Sequence, residues 1–316
     1  MDKIGFKKYL ENKDLAHKTI SEYLRLTELF FAKTKKEEIQ VTKPDVLNYL
    51  EHLKNKGLQN ITRQMYLLAV NHYFTFLYKT GQIATNPCSF LKIRGVRRKK
   101  LYKIYTSEEL EKLYDAYNQL FVRNNDLTKC KYELLKKCSI LSRERNMLIL
   151  SILFNQGITT KEIDKIEIND IDFMNATLKI RGGKKLNDRT LPIKATQIGL
   201  FMNYLQNIRP QIVEYQKIES NKLFLLLPSV QKNKLKDESL MPILFSLTKQ
   251  IQSIEKQFIN FQQVRASIIS FWIKTQGLRK AQYMAGHRYI CNTERYVTNN
   301  LDGLIDDINK LNPFDF

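Results

Sequence analysis

Apolar residues recur along the first quarter of the chain at the three-and-four spacing of amphipathic helices. Over residues 16–34, Ile20, Tyr23, Leu24, Thr27 and Phe31 form a stripe one face wide, which predicts a helix that needs a partner to bury it. A second helix is predicted from Thr42-Lys43-Pro44-Asp45 to Gly57. Thr42 can cap the free amides there, proline is tolerated in a first turn, and Asp45 suits the positive end of the helix. A third runs from about Asn60 to Thr80, with Met65, Leu68, Ala69, Tyr73 and Phe76 on one side, and stops at Gly81. Three or four such helices make a small bundle.

Further on, a capping box at Thr106-Ser107-Glu108-Glu109 opens a helix containing Leu110 and Leu113. From about Ile166 the period shifts towards two. Leu178 and Ile180, then Leu191 and Ile193, flank Gly182-Gly183-Lys184-Lys185, which predicts a short hairpin or three-stranded ribbon. Helices resume near Gln197 and, apart from an apolar strand or core segment at Leu223–Leu227, continue to the end. There, Leu301, Leu304, Ile305, Ile308 and Leu311 form an apolar stripe accompanied by Asp302, Asp306, Asp307 and Asp315. That acidic amphipathic helix packs either on its own domain or on a neighbouring protomer.

Composition narrows the function. The chain has 316 residues, 43% of them apolar, enough for two domains with buried cores. The longest apolar stretches, Met147–Phe154 and Leu223–Leu227, fall far short of the roughly 20 residues that span a bilayer. The charged start, Met-Asp-Lys-Ile-Gly-Phe-Lys-Lys, lacks the apolar run of a secretory signal, so a cytoplasmic protein without a membrane partner is expected. With 52 Lys and Arg against 32 Asp and Glu, the net charge is +20 and the favoured partner is a polyanion. Cys88, Cys130, Cys138 and Cys291 show no C-x-x-C spacing, which points to reduced thiols and no metal site.

Between the helical halves, Lys92-Ile-Arg94-Gly-Val-Arg97-Arg98-Lys99-Lys100-Leu-Tyr-Lys103 carries seven basic residues and no acidic one. It reads as a linker lying against phosphates through Arg94, Arg97, Arg98, Lys99 and Lys100. The expected organisation is a helical domain over residues 1–91, a basic linker over 92–104, and a second domain over 105–316 that ends in the C-terminal helix.

Candidate chemistry gathers late in the chain. Met284-Ala-Gly286-His287 stands nine residues before Tyr296 in Thr293-Glu-Arg-Tyr296-Val, and Gln263-Val-Arg265-Ala-Ser267 lies about twenty residues upstream of His287. His287 is the only histidine after His72. Preceded by a Gly-Lys hairpin and a basic linker, this order resembles the tyrosine recombinase (phage integrase and Xer-like) family over nearly the whole chain. The resemblance implies a mainly α fold with a small β-sheet: an N-terminal core-binding, SAM-like bundle followed by a mixed α/β catalytic domain.

It also implies site roles, position by position. Tyr296 matches the nucleophile, Arg265 the arginine of a His-x-x-Arg motif, His287 the histidine of a Gly-His pair, and Lys184 the hairpin lysine that acts as general acid, with Lys185 close by. Two positions depart: in Gly157-Ile-Thr159-Thr-Lys161-Glu162-Ile, Thr159 stands where the first arginine belongs, and Gln262 replaces the first histidine of His-x-x-Arg. A hydroxyl cannot present a bidentate fork to phosphate, so a displaced cation is needed, with Lys161, Arg181 and Arg189 as candidates. The implied reaction is site-specific cleavage and rejoining of double-stranded DNA through a 3′-phosphotyrosyl link, with no metal or other cofactor. The protomers would work as a tetramer, clamped on two sites, with related recombinase subunits as possible partners. The alternative is an impaired recombinase homologue that serves as a DNA-binding accessory. Asn60, Thr62, Arg63 and Gln64 are candidates for reading bases.

Overall fold

The computed structural model describes residues 1–96, 102–124, 133–183, 186–217, 220–227 and 239–297, and the chain divides into two compact units, Met1–Lys100 and Leu101–Phe316. The first unit holds α1 (Lys3–Glu11), α2 (His17–Thr34), α3 (Lys43–Asn55) and α4 (Asn60–Lys79). α1 escapes the periodicity reading because it is short, but Asp2 caps it by accepting from the Gly5 amide at 2.9 Å. At α3 Thr42 is the N-cap residue, but the bonds run towards Asp45, whose Oδ2 accepts from the Thr42 amide at 2.9 Å and from its hydroxyl at 2.7 Å.

The buried faces of α2 and α4 are rotated from the expected stripes. Leu26 and Phe30 join Ile20 and Tyr23 in the core, with Leu24 and Phe31 half-buried at its edge. On α4 the core takes Leu67, Val70, Tyr73, Phe74 and Leu77, whereas Met65 and Leu68 are exposed. Aromatic area decides the rotation. Phe6 meets Tyr73 edge-on at 5.0 Å and Phe30 meets Phe74 at 6.1 Å, contacts that stabilise beyond area burial and outweigh one methionine and one leucine. At the start of α4, Asn60 Nδ2 donates to the Arg94 carbonyl at 2.9 Å and Arg63 Nη2 donates to Asn60 Oδ1 at 2.8 Å. Two of the candidate base readers therefore hold the start of the linker segment.

In the second unit, α5 (Ser107–Asn124), α6 (Glu133–Gln156) and the short α7 (Thr160–Ile163) precede a three-stranded antiparallel sheet of β1 (Ile171–Asp172), β2 (Thr177–Ile180) and β3 (Arg189–Pro192) in the order β1-β2-β3. Leu178 pairs with Leu191 and Ile180 with Arg189. Helices follow: α8 (Ala195–Asn203), α9 (Arg209–Gln216), α10 (Met241–Ile254), α11 (Phe261–Gln276), α12 (Leu278–Ala285) and α13 (Cys291–Glu294). The chain is mainly α with a small sheet.

Two helices form the centre of this unit, buried on every side over residues 145–154 and 263–270. α6 buries Leu148, Ile149, Leu150, Ile152 and Leu153, and α11 buries Val264, Ala266, Ile268, Ile269 and Trp272. Leu223–Leu225 is a core segment rather than a strand, held by one bridge between Glu167 and Lys222 and by the Leu223 amide on the Ile166 carbonyl at 2.8 Å. Among the described residues no helix is long and apolar enough to cross a membrane. The predicted helix at Leu301–Leu311 lies outside the described residues, as do Arg97, Arg98, Lys99 and Lys100. Arg94 is described and exposed.

Candidate active site

The site is built from the ends of helices. α6 finishes in Gly157, whose φ of +53° is left-handed and whose missing side chain would otherwise stand 2.9 Å from Ile268 Cγ2. Only glycine fits there. Its carbonyl is thereby turned to accept from Arg265 Nη1 at 2.6 Å. Thr159 then caps α7: its Oγ1 accepts from the Glu162 amide at 3.2 Å, and its own amide donates to Glu162 Oε2 at 2.8 Å. The polar groups of Thr159 are consumed by this capping box.

Glu162 is the hub of the arrangement. Buried at 4% exposure, it accepts from Arg189 Nη1 at 2.6 Å through Oε1 and lies 3.9 Å from Arg265 Nη1 through Oε2. Both guanidiniums also grip consecutive carbonyls at the negative end of α12: Arg189 Nε donates to Met284 O at 2.7 Å and Arg265 Nη2 to Ala285 O at 2.6 Å. Burial alone would raise the Glu162 pKa, but the Arg189 hydrogen bond and the two positive charges hold it below the usual range. Burial lowers the Arg265 pKa, against the attraction of Glu162, yet a guanidinium so far above neutrality stays charged. Among the described residues, buried Arg189 Nη2 has no hydrogen-bond partner.

α12 ends at Gly286, with φ +71° and no room for a side chain, since Arg189 Nη1 lies 2.6 Å from where a Cβ would stand. The turn delivers His287. Arg265 Nη2 donates to His287 Nε2 at 3.3 Å, and His287 Nδ1 lies 2.9 Å from Thr293 Oγ1. Burial, then the charges of Arg265 and Arg189, push the His287 pKa down to about 4, so the imidazole is neutral at pH 7. Its ring stacks on Tyr296, with centroids 5.7 Å apart and planes 13° from parallel. The Tyr296 amide donates to Thr293 O at 2.9 Å and Ser270 Oγ donates to Tyr296 O at 3.2 Å, while the phenol interacts with the Arg265 guanidinium.

A pH dependence follows with a definite sign. Between 6.5, the ordinary histidine value, and about 4, the unfolded chain binds a proton at this position that the folded chain does not. Stability contributed by the neutral ring is therefore present above that window and is lost as pH falls through it, by at most about 1.4 kcal/mol per pH unit. Thermal unfolding should show a shallower acid slope for His287→Gln than for the wild type. Identical slopes would contradict the assignment.

The β2–β3 hairpin is stitched to the same turn. Leu186 bridges both Gly183 and His287, the Asn187 amide donates to Gly286 O at 2.8 Å, and Arg288 Nη2 donates to Gly183 O at 3.2 Å. Lys184 and Lys185 lie outside the described residues, but their neighbours Gly183 and Leu186 are in place. Lys165, from beyond α7, donates to Gly182 O at 3.4 Å.

The structure thus brings together Arg265, His287, Tyr296 and Arg189. Gln262 is exposed in the first turn of α11, on the side of Arg265. Lys161 is exposed on α7, and Arg181 is held away from the site by Glu167 and by Asp170, the latter at 3.2 Å from Nε. Of the three candidate cations, only Arg189 joins the cluster, because β3 faces inward at its position opposite Ile180. Glu162 and Thr293 stand inside the quoted motifs, but the motif reading gives neither a role. The Thr-x-x-Glu spacing of a capping box was the available signal for Glu162; Thr293 offered none. Among the described residues no group of three or more His, Cys, Asp or Glu is placed to hold a metal ion.

Comparison with known proteins follows this geometry. Residues 104–302 match the phage integrase family, and residues 4–81 match the phage integrase N-terminal SAM-like domain. The tyrosine recombinase XerA of Pyrococcus furiosus is 27% identical over 302 residues, covering 92% of this chain and 87% of its own. Among solved structures, the XerH site-specific recombinase bound to a palindromic difH substrate in a post-cleavage complex aligns with a TM-score of 0.64 at 19% identity, covering 92% of this chain and 78% of that one. A lambda integrase tetramer bound to a Holliday junction aligns with a TM-score of 0.58 at 13% identity, covering 90% of this chain and 75% of that one.

Proposed function

The chain belongs to the phage integrase family of tyrosine recombinases, and from that membership we propose that it cleaves and rejoins DNA at specific sites through a phosphotyrosyl link on Tyr296. The observation that carries this reading is the meeting of Arg265, His287 and Tyr296, residues from three separate segments, around one buried carboxylate. In the forward step the Tyr296 oxygen attacks the scissile phosphorus, a new P–O bond forms to the phenol, and the bond to the 5′ oxygen breaks. The phenol proton passes to His287 Nε2, the unprotonated nitrogen of the neutral ring, whose lone pair is freed as the Arg265 guanidinium turns from it to the scissile phosphate. Lys184 gives a proton to the departing 5′ oxygen. Rejoining reverses each transfer, as a 5′ hydroxyl attacks the phosphotyrosine.

Charge building on the non-bridging oxygens is met by Arg265 and by the field of Arg189. The buried cluster holds two guanidiniums against one carboxylate, a net charge of +1, and such a preorganised excess favours an added anion. Arg189 acts here by its field, since its side chain is 0% exposed. The accessory reading draws on one observation, the use of Thr159 as a helix cap in place of a phosphate ligand. A nicked copy of the bound site, from which the short 5′-hydroxyl strand diffuses after cleavage, separates the two readings. The enzyme accumulates an SDS-resistant protein–DNA adduct on it; an accessory protein binds the site and accumulates none.

Binding itself rests on phosphate neutralisation, with double-stranded DNA as partner and four protomers assembled on two sites. Each neutralised phosphate contributes about −0.9 to the slope of log affinity against log salt. Replacing Arg94, Arg97, Arg98, Lys99 and Lys100 by alanine should flatten that slope by about 4.5. An unchanged slope would take the linker off the DNA.

A further inference from the structure

We propose that Thr293 is a positioning residue that holds the His287 imidazole in place against the Tyr296 ring by accepting from Nδ1–H, in the tautomer that Arg265 selects. The inference rests on the recombinase reading above and names a residue with no assigned part in it. Arg265 fixes the first half of the argument. A guanidinium only donates hydrogen bonds, so the contact between Arg265 Nη2 and His287 Nε2 at 3.3 Å requires a lone pair on Nε2. A neutral imidazole carries one N–H, and with Nε2 bare that hydrogen sits on Nδ1.

Thr293 supplies the second half. Its Oγ1 lies 2.9 Å from Nδ1, and the residue is 0% exposed, so water does not replace it. The opposite tautomer would set an Nε2–H against the Arg265 N–H and leave buried Nδ1 to accept the hydroxyl proton instead. The same threonine also tethers the other reacting side chain, because its carbonyl accepts from the Tyr296 amide at 2.9 Å. One residue therefore sets both the orientation of the base and the backbone of the nucleophile. The arrangement matters more here than in a site with two imidazoles, since Gln262 stands where a second histidine would belong. Among the described charged groups facing the ring are Arg265, Arg189 and Glu162; none offers an acceptor to Nδ1 in place of Thr293.

Thr293→Val keeps the shape and removes the hydroxyl, whereas Thr293→Ser keeps the hydroxyl. On the nicked site, adduct formation should slow by roughly 10²-fold in Thr293→Val, the cost of a misplaced reacting group, and return close to wild type in Thr293→Ser, with DNA affinity equal in all three. Nitrogen-15 NMR of the four histidines, with His287 assigned through His287→Gln, reads the tautomer directly. Wild type and Thr293→Ser should show a single Nδ1–H ring with a hydrogen-bonded Nδ1 shift, and Thr293→Val the same tautomer, set by Arg265, with that hydrogen-bonded shift lost. A wild-type signal from Nε2–H, or a Thr293→Val protein with an unchanged Nδ1 shift or an unchanged rate, would overturn the proposal. Should even the wild type form no adduct, the recombinase reading fails, while the nitrogen spectrum still decides the part played by Thr293.

Discussion

Tyr296→Phe should bind its DNA site as tightly as the wild type and form no covalent adduct, a loss on the order of 10⁶-fold, as when the nucleophile is taken from a site whose parts act as a unit. The substitution removes one oxygen. The ring remains stacked on His287, and the backbone stays tied to Thr293 and Ser270, so folding and binding have no reason to change. Equal binding with no adduct isolates the phenol oxygen as the chemical group. Residual adduct in the variant, resistant to SDS and present on the same strand, would mean that another of the 16 tyrosines attacks.

Glu162→Ala should lower the stability of the catalytic unit by about 3–5 kcal/mol, the range seen when one partner of a buried ion pair is removed. The carboxylate is the only counter-charge that the described contacts give Arg189 and Arg265, whose side chains are 0% and 4% exposed. Its removal leaves two positive groups buried beside each other and also opens the capping box on Thr159. The urea midpoint should fall markedly in Glu162→Ala. Adding Arg189→Met to that variant should recover part of the loss, since it removes one of the two stranded charges; double-mutant coupling is expected for groups in direct contact. A single variant with an unshifted midpoint would show that the guanidiniums find their counter-charge elsewhere.

Much of this was legible in the residue order. Helices with strong stripes and punctuating glycines, such as those ending at Gly57 and Gly81, form where periodicity places them, and the hairpin follows from paired alternation around Gly182-Gly183. Rotation about a helix axis was not legible, because Met65 and Phe74 are both apolar and only packing against other rings chooses between faces. The ordered set of Arg265, His287 and Tyr296 was visible as spacing. Glu162 was not, since its part depends on Arg189 arriving from β3 and Arg265 from α11, contacts 27 and 103 residues distant in the chain. The absence of an arginine at Thr159 was plain in the sequence. The buried pair of Arg189 and Arg265 sharing one carboxylate exists only once the sheet edge and the helix ends are assembled.

The most direct test of the account is to identify the residue that carries the DNA. Wild-type protein trapped on the nicked site would be digested with protease and nuclease, and the peptide bearing the remaining nucleotide sequenced by mass spectrometry. The account predicts a single modified peptide with the 3′ phosphate on Tyr296. A nucleotide on any other residue, or a specifically bound site that yields no modified peptide, would contradict it.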